Sequence, residues 1–280
     1  MLWIAVPLGL LTGAVMGALG GGGAILTIPV LIYIVGMPPH DATTASLVII
    51  GVSAASTAIG HVRGGTARVL DALVLAAVGA VGTYAGSLAS AAVAAPVLVV
   101  LLASLLAVVG ALMLRQSSAA VENASVENAD VENADIEQDE SGRPRTTDGE
   151  RAGGTVVARF GPVVAVGIGV GLLTGFFGVG GGFAIVPALT LVLGYPMRPA
   201  IGTSLVVIAL NSGTALGARM IQGVSLDWSV VGLFTLGAIA GGLIGGRVGR
   251  RASPLALSRG FAVLLFLVAA YMLGSAVAHR

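Results

Sequence analysis

Eight apolar stretches dominate this chain, at about residues 2–35, 42–60, 70–92, 96–114, 160–194, 200–218, 228–249 and 259–277. A helix rises 1.5 Å per residue and the hydrocarbon core of a bilayer is roughly 30 Å thick, so about 20 apolar residues make one crossing. In lipid each backbone N–H and C=O must be satisfied within the segment, which selects helices. Charge is distributed accordingly: ten of the thirteen acidic residues lie between positions 122 and 150, and only Asp41, Asp71 and Asp227 lie elsewhere. The chain is 10% charged, against about 25% in soluble domains. A water-soluble core would leave most of these apolar faces without polar cover. The first residues, MLWIAVPLGLLTG, carry no basic region and read as a span, not a cleaved signal.

The longest stretches, 2–35 and 160–194, contain copies of one motif. Residues 13–50 match residues 171–208 at 14 of 38 positions without a gap. The shared residues include Gly20/Gly178, Gly22/Gly180, Gly23/Gly181, Pro29/Pro187, Gly36/Gly194 and Ser46/Ser204. Each stretch exceeds a straight crossing and is broken by glycine near its middle. The pattern predicts an all-α integral membrane protein of two homologous four-helix halves, about eight spans, each half opening on a Gly-broken segment. Four crossings per half would make the repeats parallel, and five would invert them.

The expected domains are a membrane repeat at 1–114, a linker at 115–159 and a second repeat at 160–280. The linker contains VENAS-VENAD-VENAD-IEQDE, whose period of five suits neither a helix face nor a strand. Its charge and scarcity of large apolar residues predict a disordered connection; a partner-binding acidic tail is the alternative. With eight crossings, Arg63, Arg68, Arg115, Arg143, Arg145, Arg151, Arg159, Arg219 and Arg280 fall on one side, and Arg198, Arg247, Arg250, Arg251 and Arg259 on the other. Weighed by proximity to span ends, this division puts both termini and the linker in the cytoplasm. Asn123 opens a formal glycosylation sequon, which should then stay unmodified.

Cysteine and lysine are both absent. Disulfides, thiolate metal sites, Cys nucleophiles, P-loops and Schiff bases are thereby excluded. A dinucleotide fingerprint starting at Gly20 or Gly178 fails, because Ile25 and Phe183 stand where its last glycine is needed. His40, His61 and His279 read as interfacial, and no spacing suggests a metal or a hydrolytic triad. No cofactor is expected.

What remains is backbone chemistry. A helix restarting after a Gly break presents unpaired N–H groups and a positive dipole end, which attract an anion. A recurring Gly-interrupted hydrophobic segment points to a transporter's binding site. The candidate substrate-binding residues are Gly20, Gly22 and Gly23 in one half, and Gly178, Gly180, Gly181 and Gly182 in the other. Ser46, Thr203, Ser204 and Asn211 are polar residues that would line the same cavity, though Ser and Thr more often bond their own helix. Pro29 and Pro187 would loosen the helices beyond the breaks. Gly237, Gly241, Gly245 and Gly249, like Gly82 and Gly86, have the spacing of a packing stripe instead.

GLLTGFFGVGGGFAIVPAL (171–189) with GTSLVVIALNS (202–212) resembles the sulfite exporter TauE/SafE family, also called the 4-toluene sulfonate uptake permease family. GALGGGGAILTIPVL (17–31) with ATTASLVII (42–50) supports the resemblance. Ala24, Thr44 and Ala45 depart from the second copy. The resemblance implies a multi-pass plasma-membrane transporter of small anions, often sulfur oxyanions or organosulfonates. Partners would be that anion and the lipid bilayer; a coupling ion is left open, and nucleic acid is not expected. The alternatives are a passive anion channel and a non-transporting scaffold that uses the linker.

Overall fold

Glycine and alanine stripes let the helices approach to backbone distance. In the computed structural model residues 2–90, 93, 97–98, 100–115, 156–177, 182–220 and 226–278 are described. Every regular element among them is helical. The expected linker is outside them from 116 to 155, as are Asn123, His279, Gly178, Gly180 and Gly181. The helices are α1 (Leu2–Leu19), α2 (Gly22–Pro29), α3 (Pro39–Arg63), α4 (Val69–Ser90), α5 (Val100–Arg115), α6 (Val156–Phe177), α7 (Gly182–Pro187), α8 (Met197–Met220), α9 (Trp228–Arg251) and α10 (Pro254–Ala278).

The most extensive packing joins α1 to α9 and α4 to α6. A β-carbon added at Gly237, Gly241, Gly245 or Gly249 would meet the carbonyl oxygens of Val6, Leu10, Ala14 and Ala18 in turn. Gly9, Gly13 and Gly17 meet Phe234, Ala238 and Gly242 in return. Both series ascend together, so α1 and α9 run parallel. Gly82 and Gly86 similarly meet Ile168 and Leu172, so α4 and α6 are parallel. The stripes are packing devices. The α3–α8 pair is antiparallel: Gly51 lies 2.9 Å from the Ser212 Cβ, while Gly202 lies 3.1 Å from the His61 Cβ, each measured from an ideal β-carbon on the glycine.

Among the described residues, five helices are long and apolar enough to cross a membrane by length and composition: Asp41–Arg63, Val69–Gly86, Met197–Gly217, Trp228–Arg251 and Pro254–Gly274. Leu70, Val81, Leu236 and Leu267 are each 64–69% exposed. Large apolar faces left open in this way fit lipid contact. Inside, Leu106, Phe183, Ile201, Leu205, Phe261 and Leu265 belong to one buried cluster, and Leu31, Ile49, Val231 and Phe234 to a second.

The structure departs from the expected division of the arginines. Arg68 N donates to Thr203 Oγ1 on the first turns of α8 at 3.1 Å. Arg198 Nη2 donates to the Ala252 carbonyl at 3.2 Å, and Arg250 Nη1 lies 3.7 Å from the β-carbon position of Gly60. Arg63, Arg68, Arg198, Arg250 and Arg251 therefore share one end. The eight-crossing count separated them because it took each Gly-broken stretch as one passage. In fact α2 folds back: a β-carbon at Gly23 would lie 2.5 Å from Thr12 O and 2.6 Å from Met16 N of α1.

Candidate functional site

α1 ends at Gly20, whose φ of +73° is left-handed backbone that a β-carbon makes costly. Gly21 turns the chain, and α2 starts at Gly22 with no side-chain cap. Helix geometry leaves the first N–H groups, those of Gly22 and Gly23, without an intrahelical acceptor. A β-carbon on Gly21 would overlap the Gly182 carbonyl and stand 3.0 Å from the Gly182 Cα. Gly182 opens α7. The two breaks, 158 residues apart in register, thus touch backbone to backbone.

Other candidate residues gather around this contact. An ideal β-carbon on Gly20 would lie 2.7 Å from Ser204 Oγ, and one on Gly22 2.7 Å from Leu264 Cδ2. One on Gly182 would lie 3.0 Å from Ile208 Cδ1 and 3.3 Å from the Ala24 Cβ. Residues 20–24 are all buried.

Pro29 and Pro187 stand at the same point of the two copies. Pro29 and Pro187 cannot donate to the preceding turn. Beyond each the helix widens into a π turn, Val30–Ile34 and Ala188–Val192. Val35 N bonds Val30 O at 3.1 Å, and Leu193 N bonds Ala188 O at 3.3 Å. Gly36 and Gly194, at φ +79° and +64°, then end both elements.

The polar candidates divide. Ser204, fully buried, donates to Ile201 O at 2.8 Å, and buried Ser46 donates to Thr43 O at 2.7 Å. Each hydroxyl thus spends its proton on its own helix. Thr203 is turned away from the breaks, accepting Arg68 N. Asn211 lines a cavity of about 10 Å³ with Leu75, Gly171, Thr174 and Leu189, room for roughly one water. A cavity of about 750 Å³ between α2, α5 and α10 is walled by Ile25, Pro29, Tyr33, Phe183, Leu264 and Tyr271. That wall is apolar and unsuited to an anion.

Two features escaped the sequence reading. Gly21 faces Val179 in the aligned copy, so a search for matched glycines passes over it; the unbroken four-glycine run was the available signal. The second is a polar cluster at the arginine-rich end. Tyr195 OH donates to Asp71 Oδ2 at 2.5 Å. Arg68 reaches Asp71 at 3.9 Å and stacks 4.2 Å over the Tyr195 ring. Burial, and then the bond to Asp71, raise the Tyr195 phenol above its usual range.

Helices too apolar for water and small-residue seams describe a membrane protein. The family model described as Sulfite exporter TauE/SafE matches residues 5–272. The chain belongs to the TauE/SafE family. It is therefore a membrane transporter of that family. It is 32% identical over 273 residues to a "Probable membrane transporter protein" of Xylella fastidiosa (strain Temecula1 / ATCC 700964), covering 96% of this chain and 94% of the relative. It is 26% identical over 254 residues to "Probable membrane transporter protein YunE" of Bacillus subtilis (strain 168), covering 88% and 86%. No solved structure matches it.

Proposed function

We propose that this TauE/SafE transporter moves a small sulfur-containing anion, sulfite or an organosulfonate, bound where the two Gly-rich breaks meet. The observation that carries the reading is the backbone contact between Gly21 and Gly182, which brings the starts of α2 and α7 together. Backbone N–H groups and two helix dipoles give such a site positive potential without a buried cation. Ser204 beside Gly20 supplements them by turning its hydroxyl from Ile201 O to the ligand. Ser46 corresponds to Ser204 in the register of the repeat, and Asn211 contributes through water.

Two inverted halves, α1–α5 and α6–α10, fit the contacts. The counterparts α3 and α8 are antiparallel, and the α1–α9 seam corresponds to the α4–α6 seam. Arg63, Arg68, Arg115, Arg159, Arg198, Arg250 and Arg251 then share the side of the linker. By the excess of arginine that side is cytoplasmic, and both termini lie opposite.

The test is counterflow of labelled sulfite in proteoliposomes, with sulfonates, sulfate and chloride as competitors. Saturable counterflow inhibited by sulfonate is expected, abolished by Gly23→Val with insertion intact. Wild-type flux in Gly23→Val and Gly181→Val would refute the site.

A further inference from the structure

Nε2 of His61 is buried without a hydrogen-bond partner, and His61 as a residue is only 6% exposed. Buried polar atoms are overwhelmingly paired, so this orphan requires a reason. The neighbouring bonds are compatible with a neutral ring protonated on Nδ1. Thr66 Oγ1 donates to the His61 carbonyl at 3.0 Å and lies 3.1 Å from His61 Nδ1. A hydroxyl has one proton. With that proton on the carbonyl, Nδ1 carries its own hydrogen and donates to Thr66. Nε2 is left as a bare lone pair.

Its position links it to the helix breaks. The His61 Cβ lies 3.1 Å from the β-carbon position of Gly202 on α8. The other side of that same turn, Ile201 and Ser204, packs on Gly20. A single turn of α8 separates the His61 Cβ from the break.

The charges around His61 are accounted for element by element. α9 brings Arg250, 3.7 Å from the Gly60 β-carbon position. Arg63 follows on α3 itself. Arg68 is engaged with Asp71 and Tyr195, and Asp71 accepts the Tyr195 hydroxyl. Arg198, at the start of α8, donates to the Ala252 carbonyl. A proton on Nε2 would thus create a second cation beside Arg250. An anion arriving at the breaks would offset it.

We propose that His61 Nε2 is a proton-binding site, loaded when the anion binds one helical turn away, so that one proton travels with each anion. The proton comes from water on the loading side, occupies the Nε2 lone pair and leaves with the anion on the other side. The proposal rests on the anion reading above.

Proteoliposomes containing the full chain and a trapped pH dye test it, with 4-toluenesulfonate as the probe. A sulfonate stays ionised near neutrality, so any proton flux belongs to the protein. Uptake should acidify the lumen, and an alkaline lumen should drive accumulation by about tenfold per pH unit, the factor for one proton per anion. His61→Asn keeps a donor for Thr66 but cannot titrate; it should retain counterflow and lose both proton flux and gradient-driven accumulation. His61→Gln serves as a second non-titrating variant. Wild-type counterflow without proton movement, or coupling intact in both variants, would overturn the proton site alone. Absence of any sulfite or sulfonate counterflow by the wild type would overturn the anion reading and the proton site with it.

Discussion

Gly21→Ala separates a functional contact from a packing one. Its β-carbon would overlap the Gly182 carbonyl and lie 3.0 Å from the Gly182 Cα, where non-bonded carbons prefer about 3.5–4.0 Å. The obstructing atoms are backbone, so no rotamer change relieves them. α2 and α7 must part by roughly 2 Å to clear the carbonyl and restore van der Waals distance. Overpacking of this kind costs about 1–3 kcal/mol. If that cost fell wholly on anion binding, affinity would drop by about 5- to 150-fold.

Gly241→Ala is the control. Its β-carbon would overlap Leu10 O and lie 2.8 Å from Ala14 N, a comparable intrusion on the α1–α9 seam. Both variants should lower the melting temperature in detergent. Only Gly21→Ala should also raise KM for counterflow, normalised to folded protein. Equal losses of stability with unchanged KM in both would show that the Gly21–Gly182 contact is packing and nothing more.

Deleting residues 120–150 should leave transport intact, measured by counterflow, whereas a scaffold that uses the linker would lose its partner in a pull-down. Because the chain has no cysteine, single-cysteine labelling with a membrane-impermeant maleimide reads sidedness directly: Ala278→Cys should react in intact cells and Ser141→Cys only after lysis. Tyr195 should ionise above its ordinary value of 10.0. Its bond to Asp71 contributes stability that is complete below about pH 10 and lost as pH rises past the folded-state pKa; an ultraviolet phenolate titration of wild type against Tyr195→Phe checks this. Asp227 Oδ1 caps α9 by accepting Ser229 N at 3.0 Å and Val230 N at 3.4 Å. Asp227→Ala should cost about 1 kcal/mol, read as a lower melting temperature with unchanged KM.

Features set by local geometry were legible in the sequence. The Gly237–Gly249 stripe is a packing face because spacing of four puts small residues on one side of a helix. The sequence places Pro29 and Pro187 as helix-loosening residues, but the π turns after them and the left-handed stops at Gly36 and Gly194 are not read from it. Features set by long-range contact were not legible. The reversal of α2 depends on Gly23 fitting between Thr12 and Met16, which no spacing within α2 announces. The sidedness of the arginines depends on the parity of passages, so one missed reversal per half misplaces Arg198 and Arg250. His61 looked interfacial because it stands two residues from Arg63; the approach of Gly202 from α8 buries it. Thr203 fell beside Ser204 in sequence, but 100° of helix rotation per residue sends it to Arg68 instead of Gly20.

Departures from the repeat also tell the two ends apart. At the register of the aligned copies, Tyr195 corresponds to Met37, and Asp71 and Asp227 both open the third long helix of their halves. At the arginine-rich end the tyrosine is present, and Asp71 accepts its hydroxyl while Arg68 covers the ring. At the other end methionine offers no hydroxyl, and Asp227 turns its carboxylate to the N–H groups of its own helix. The two carboxylates thus serve different ends: Asp71 fastens α4 to the stretch that follows the π turn of α7, whereas among the described residues Asp227 bonds only its own helix, α9. A polar bond that must be desolvated and remade when helices separate adds to the cost of opening the side it spans. Met37, at the aligned position, can make no such bond, so the cost of parting α4 from the stretch after α7 is borne at the arginine-rich end.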